Sequence, residues 1–414
     1  MFKKRLLTSA IVSAIAISNA PAFAAGFQLN SQSATGLGRA FAGDAVIADN
    51  ASVAARNPAA MALFKEANFS LGFNVIATDV RLKNGTYNDI KIPDFTITQE
   101  DISGTDDIGG TSFVPNLHLV MPLNEKWAWG LSAYSNFGTA TEFDDDFSAN
   151  LFGGKTSIKS MNLGTSLSYR FTEHFSVGAG LDLIYGKGEL KRSYKGITAV
   201  DIDATGTAFG WNAGVVYEFN KDHRLGLSYR ASPTVDADGD NPTDKISLPL
   251  PDIAEFSGYH RLNEKFAAHY SLQWVQWSTF DTINIQTQDM LLGLVPSQSI
   301  DKEYQWKDAG HISVGGTYYL NNDWTLRAGY MYDIAATDEL KSISIPDSDR
   351  QWLSAGFSYH LNPKETIDFG FTYLIGQDVT FDEHLSPDLD APSITGATTR
   401  ADAILFGLQY SRSF

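Results

Sequence analysis

Three stretches of this chain carry residue types and spacings that could do chemistry, and each falls short of the chemistry it suggests. Asp236-Ala-Asp-Gly-Asp240 sets carboxylates at alternate positions, as a calcium loop begins. Its sixth position is Asn241 instead of Gly and its twelfth is Ser247 instead of Glu, so the sharp turn and the bidentate ligand are both missing. Gly154-Lys155-Thr156 ends like a phosphate-binding loop, but Ala149 stands where the first Gly belongs. Gly36-Leu-Gly-Arg-Ala-Phe41 lacks the third Gly of a dinucleotide fingerprint and has no βαβ context. Neither G-x-S-x-G nor H-E-x-x-H occurs, and none of the 8 His pairs at metal spacing. With 0 Cys there are no disulfides, thiolate metal sites or thiol catalysis. The sequence therefore predicts no catalytic residue, no metal site and no cofactor.

What remains is binding, and the elements that hold it must be found. The chain has 414 residues, 43% hydrophobic and 12% aromatic, enough to bury a core. Its 31 basic residues against 48 acidic ones argue against a nucleic-acid partner, which needs cations to neutralise phosphates. Residues 1–24 read as a signal peptide: Lys3, Lys4 and Arg5, an apolar run from Leu6 to Ile17, then Ala22-Phe23-Ala24. That run is too short to span a bilayer, and no stretch of about 18 apolar residues follows it. An exported protein of this kind is either soluble or a β-barrel.

Six short polar turns decide between the two. Pro122–Lys126, Thr172–His174, Asn220–His223, Asn263–Lys265, Asn321–Asp323 and Asn362–Glu365 are mostly Asn, Asp and Pro, the chemistry of tight reversals. Longer polar segments lie between them, including Lys83–Gly110, Asp144–Thr156, Asp236–Pro251 and Phe381–Arg400. Short turns at one end and long loops at the other are the signature of an outer-membrane barrel. Twelve strands follow from the turns, and Asn68–Arg81 with Ala401–Phe414 make fourteen. Residues alternate along these strands: Leu163, Leu167, Ile312, Val314, Ile404 and Phe406 share a lipid face, and Asn162, Ser166, His311, Ser313 and Gln409 a lumen face. Tyr169, Tyr217, Tyr318, Tyr359 and Tyr410 near the periplasmic strand ends predict an aromatic girdle. Tyr259 fits it only with a bulge in its strand; otherwise the register read for that strand is wrong. The predicted fold class is an all-β, 14-stranded antiparallel transmembrane barrel, residues 67–414.

Residues 25–66 do not read as a strand. Gly36, Gly38, Gly43 and the Ala-rich run Ala51–Ala62 suggest short helical pieces, while Phe27, Leu29, Phe41 and Met61 are too apolar for water. A barrel of this size has room for such a segment, which predicts a plug in the lumen ending near Asn57-Pro58-Ala59.

Here a family becomes recognisable. Ala25-Gly-Phe-Gln-Leu-Asn30, Gly36-Leu-Gly-Arg-Ala40, Ile47-Ala-Asp49 and Arg56-Asn-Pro-Ala59 resemble the N-terminal hatch of the FadL-type long-chain fatty-acid transporters. Ser135–Phe143 and Ser342–Arg350 resemble the same family, and the resemblance covers essentially the whole mature chain. It implies passive uptake: capture of a hydrophobic molecule at an outer groove, binding in the lumen, hatch rearrangement, and sideways exit through a gap at a kink in the third strand. It assigns hatch gating to Asn57, Pro58 and Ala59, the kink to Gly138, and the gap lining to Ser112 and Ser135. It places Arg192 and Lys307 beside the substrate carboxylate. Parity independently points both into the lumen, provided their strands run unbroken. The loop after Arg192 and the loop Asp236–Pro251 look short for the family. Met290, Leu291, Leu292, Leu294 and Val295 form an apolar run on an outer segment instead, a candidate capture site.

The expected partners are a long-chain fatty acid or other hydrophobic small molecule, outer-membrane lipid and lipopolysaccharide; phage is a further expected one, and the chain is expected to be a monomer. The nearest rival is the same mechanism with a monoaromatic hydrocarbon. Rivals of other classes are a barrel lipid hydrolase, which labelled phospholipid would reveal, and a surface adhesin.

Overall fold

Fourteen antiparallel strands pair in chain order, and the last pairs with the first. The computed structural model describes residues 26–91, 94, 96–241, 243–287, 298–385 and 390–414. The leader and the run containing Met290, Leu291, Leu292, Leu294 and Val295 lie outside the described residues. The strands are β1 Asn68–Lys91, β2 Thr111–Pro122, β3 Trp127–Tyr134 with Gly138–Glu142, β4 Lys155–Arg170, β5 Phe175–Tyr194, β6 Ile197–Asn220, and β7 His223–Ala231 with Thr234–Gly239. The circuit continues through β8 Lys245–Pro249 with Ile253–Arg261, β9 Phe266–Val275 with Thr282–Thr287, and β10 Gln298–Glu303 with Ala309–Tyr319. It closes with β11 Trp324–Asp333, β12 Arg350–Asn362, β13 Glu365–Gly376 with Val379–His384, and β14 Ser393–Ser413.

The six short turns join the strands the sequence assigns to them. Asn side chains tighten most of them: Asn124 Oδ1 accepts from the amides of Lys126 and Trp127, at 2.9 and 3.0 Å. Asn220, Asn263, Asn321 and Asn362 repeat the motif. The opposite end differs from expectation. Much of what reads as loop there is strand: β1 runs on to Lys91, with Thr96–Asp101 folded back upon it, and Thr234–Gly239 pairs with Lys245–Pro249. Asp236–Asp240 thus begins on extended backbone, where Asp236 accepts from Ser247 Oγ at 2.7 Å and Asp238 pairs with Lys245 at 3.3 Å. β5 and β6 are joined by Lys195-Gly196 alone, with φ of 50° and 77°, the left-handed pair that a tight twisted hairpin requires.

The wall alternates as the sequence predicts. Leu163, Leu167, Leu181, Ile312, Val314, Ile404 and Phe406 face outward, and Phe209 is 78% exposed. Each such side chain would cost about 1.5–3 kcal/mol if left in water, so this belt belongs in lipid. Asn162, Ser166, Ser168, His311, Ser313 and Gln409 are buried on the other face. Trp127 packs on Tyr169 and Trp324 on Tyr359, each at 4.7 Å, within the aromatic girdle. Tyr259 is not part of that girdle, and its strand has no bulge. Ile253–Arg261 pairs in unbroken register, and Tyr259 lies in the lumen, stacked on His269 and bonded to Tyr319. Glu255 is buried on the same face, so the parity conflict disappears.

The lumen is filled from both ends. The N-terminal segment folds as α1 Ala34–Leu37, α2 Val53–Arg56 and a 3-10 helix Pro58–Leu63. Ser33 caps α1 by accepting from Gly36, and Asn57 caps the 3-10 helix by accepting from Ala59, with Pro58 in its first turn. From the other end, the segment between β11 and β12 dips inward and buries Ile343, Ile345 and Asp347. Asp347 joins the two fillings. Its carboxylate accepts from the amides of Gly26 and Ala336 and from Arg350, at 3.2, 2.7 and 2.6 Å.

Candidate functional site: a plugged lumen with a window in its wall

The plug is seated by backbone contact, which only Gly allows. Gly178, Gly214 and Gly226 sit on the lumen faces of β5, β6 and β7, with Gly178 directly opposite Gly214. A Cβ built on Gly178 would lie 2.5 Å from the Ala59 amide, and one on Gly214 would lie 2.0 Å from Asn57 Oδ1. Asn57 is fully buried, and its Nδ2 donates to the Ala45 and Val215 carbonyls at 2.8 and 3.1 Å. Asn57, Pro58 and Ala59 therefore dock against β5–β7. Across the lumen, Gly315, Gly329, Gly356 and Gly370 on β10–β13 receive α1 and the turn after it. A Cβ on Gly329 would lie 2.1 Å from the Arg39 carbonyl.

Ion pairs lock the same seats. Arg39 binds Asp44 and Asp49 at 2.8 and 3.0 Å within the plug. Arg327 of β11 reaches Asp49 at 3.3 Å, and Arg56 reaches Glu255 of β8 at 3.5 Å. Breaking such a buried pair by removing one partner is far costlier than the pair's net worth, so these contacts fix where the plug sits.

The wall opens between β2 and β3. Their ladder runs from Pro122–Ala128 up to Leu117–Ala133 and stops. Above it β3 breaks at Ser135–Phe137 and resumes at Gly138; among the described residues this upper part pairs only with β4, while Thr111–Asn116 of β2 pair only with β1. A bond from the Glu142 amide to the Ile108 carbonyl, 2.9 Å, closes the top of the window. Ser112 is fully buried on the lumen face of the β2 edge, and Ser135 stands where β3 turns inward. At Gly138 a Cβ would come within 3.1 Å of Leu29.

The displaced part of β3 pairs with the plug instead. The Leu29 amide donates to Asn136 O at 2.6 Å and the Gly138 amide to Phe27 O at 2.8 Å, forming a bridge between Gln28 and Phe137. Gln32 completes the bar across the window's inner face, bonding Asn136 and, through its carbonyl, the His118 ring. Leu29–Gln32, to which the sequence assigned no gating role, close the window; Asn57–Ala59 lie against another part of the wall.

Above the plug lies an apolar crevice lined by Ile158, Val235, Ile246, Leu248, Ile283 and Ile345, with Tyr304 at its edge. Through Tyr304, 4.8 Å from Phe280, it adjoins a buried aromatic cluster in which Phe27 meets Trp277 at 4.6 Å, Phe280 at 4.9 Å and Trp306 at 5.7 Å. The cavity measures ≈ 40 Å³, room for a few waters and for no acyl chain. A long ligand must part these walls.

The two expected cations fare differently. Arg192 is buried beside Thr156, which lines the crevice, and donates to Thr156 Oγ1 at 2.7 Å and to the Lys155 and Lys191 carbonyls. Among the described residues it forms no ion pair with a carboxylate. Lys307 is exposed and paired with Asp338 at 3.2 Å, not turned into the lumen. The parity argument fails because β10 breaks between Glu303 and Ala309, with Gln305 at φ 48°. A one-residue slip reverses every side chain beyond it, so Tyr304 and Trp306 point in and Lys307 points out. Lys302 lies nearer the crevice, 5.8 Å above the Tyr304 ring and 3.3 Å from the buried Glu383. Sequence reading missed Lys302 because only the slip brings it there.

A closed fourteen-strand barrel with an apolar outer belt and a filled lumen defines an integral protein of the bacterial outer membrane. Residues 15–414 match the model of a family described as outer membrane protein transport protein (OMPP1/FadL/TodX), and the chain belongs to that family. It is 35% identical to the long-chain fatty acid transport protein of Escherichia coli O6:H1, covering 100% of both chains. It is 34% identical to outer membrane protein P1 of Haemophilus influenzae, over 99% of this chain and 100% of that one. Its fold matches that of a Pseudomonas aeruginosa FadL homologue with a TM-score of 0.80, at 22% identity over 94% of this chain and 100% of the other. The Ralstonia pickettii toluene transporter TbuX matches at 0.66, with 16% identity over 92% and 98%.

Proposed function

We propose that this protein is a passive channel for hydrophobic compounds, chiefly long-chain fatty acids, which bind in the lumen crevice and leave sideways through the β2–β3 window. The window closed from within by Leu29–Gln32 carries this reading. A barrel wall with unpaired backbone is costly in lipid, and here the plug stands in for the missing strand pairing. Sideways exit also spares an acyl chain the crossing through water, worth about 0.8 kcal/mol per CH₂. The plug and window belong to one chain, so a monomer suffices.

Labelled oleate offered to cells lacking their own transporter tests it. Uptake should saturate and should fall when Asn57–Ala59 are deleted, because that deletion removes the cap and seat of the plug's last turn. No oleate uptake with the barrel folded in the outer membrane would turn the reading toward an aromatic cargo. The aromatic cluster beside the crevice supports that second reading, as does the fold shared with the toluene transporter TbuX.

For the fatty-acid head we assign Arg192 and, in place of Lys307, Lys302. Arg192→Ala and Lys302→Ala should each weaken oleate binding about tenfold, the loss of one charge-assisted hydrogen bond at about 1.5 kcal/mol. Lys307→Ala should leave affinity near wild type, because that exposed pair contributes little. Equilibrium binding to the purified barrel decides; equal affinities for all three variants would remove the carboxylate assignment.

A further inference from the structure

The lining of the window is polar where a conduit for bare hydrocarbon would be apolar. Ser112 Oγ and Asn116 Oδ1 on β2, Asn136 Nδ2 at the break in β3, and Ser31 Oγ and Gln32 Oε1 on the plug make no hydrogen bond among the described residues. All five residues are buried, from 0% exposed at Ser112 to 4% at Asn136. Ser31, Gln32, Asn116 and Asn136 form one patch, and Ser112 lies farther along the same face of β2, beyond Val114. Gln32 Nε2 donates to Asn136 Oδ1 at 2.9 Å, and Asn116 Nδ2 to the Ser31 carbonyl at 3.4 Å. The window lining therefore presents one amide donor, two amide acceptors and two hydroxyls that serve as either. Buried polar groups are almost always paired, and leaving one unpaired costs its full desolvation.

Resting on the reading of this window as the exit, we infer that it is a head-group filter. Ser112, Asn116 and Asn136, with Ser31 and Gln32, hydrogen-bond the polar head of a passing amphiphile, so that passage itself sorts fatty acids from hydrocarbons. A carboxylate takes the Asn136 amide and the hydroxyls; a protonated acid adds a donor for Asn116 Oδ1. A hydrocarbon leaves all five groups unpaired. Sites built to hydrogen-bond a ligand reject analogues lacking that group far more strongly than apolar pockets reject a missing methylene. Selection at the crevice and selection at the window are thus separate steps: the first sets affinity and the second sets rate.

The test compares labelled oleate with labelled 1-octadecene, in cells for uptake and on the purified barrel for affinity. Ser112→Ala removes an oxygen that bonds none of the described residues, so the plug stays seated; Ser112→Thr keeps the hydroxyl. The Ser112→Ala, Asn116→Leu double variant strips these two polar groups from the β2 side of the window. The ratio of oleate to octadecene uptake should fall severalfold in Ser112→Ala and about tenfold in the double variant, and should return toward wild type in Ser112→Thr, at unchanged oleate affinity. An unchanged ratio, or both uptakes falling in step, overturns the filter and leaves the patch a structural or water-holding one. Wild-type uptake of octadecene without oleate overturns the fatty-acid reading as well. Heat-modifiable migration of each variant shows that its barrel has closed.

Discussion

Replacing Ser112 by Arg should cut oleate uptake at least about tenfold while oleate affinity in detergent stays within about twofold of wild type. Ser112 is fully buried at the edge of β2, beside the gap where β3 turns away. A guanidinium there fills the passage and meets the unpaired acceptors around it. The crevice lies on β4, β5, β7–β10 and the segment between β11 and β12, so its lining is untouched. Uptake and binding should therefore separate. If the Arg variant folds and transports at the wild-type rate, the substrate does not leave through the wall, and a route past the plug into the periplasm takes its place. If binding falls with uptake, the side chain has disturbed the lumen, and Asn116→Arg, four residues farther along the same face of β2, repeats the measurement.

Gly214→Ala should loosen the end of the plug that carries Asn57. The added Cβ would lie 2.0 Å from Asn57 Oδ1, a distance no contact tolerates. Asn57 must move and give up its bonds to Ala45, Val215 and Ala59. At about 1 kcal/mol each, the loss is about 3 kcal/mol, or roughly a hundredfold in the population of the seated plug. Arg56 is shielded from trypsin while seated. Cleavage after Arg56 and a higher ion conductance should appear together in the variant. Gly188→Ala, whose Cβ would meet Ile246 at an ordinary 3.4 Å, should show neither. Full protection of Arg56 in Gly214→Ala would mean that the close approach is not what holds the plug.

The barrel was legible in the sequence because lipid enforces it. Every second residue between the girdles must be apolar, so Leu163, Val314 and Phe406 declare their strands, and Asn in the short turns declares the breaks. Above the lipid belt that pressure ends. Thr234–Gly239 and Lys245–Pro249 are strands whose residues need not alternate, and their Asp, Gly and Pro content reads as loop. Tyr259 shows the converse: a large aromatic near a strand end looks like a girdle residue, but here it fills the lumen beside His269. Lys307 was misplaced by carrying parity through β10, since nothing in Tyr304–Asp308 announces the slip. The glycines that seat the plug are plain in the sequence. Their alignment across strands emerges only from the pairing register, and so does the role of Leu29–Gln32.

The bridge between Gln28 and Phe137 has a consequence for how the molecule is put together. Phe27 and Leu29 supply backbone hydrogen bonds that β3 does not obtain from β2. A barrel that closed around an empty lumen would insert with part of its wall unsatisfied in hydrocarbon. Residues synthesised first are thus needed at a seam formed by residues more than a hundred positions later. The plug acts as a template for the wall as well as its stopper, and its arrival has to precede, or accompany, the sealing of the cylinder.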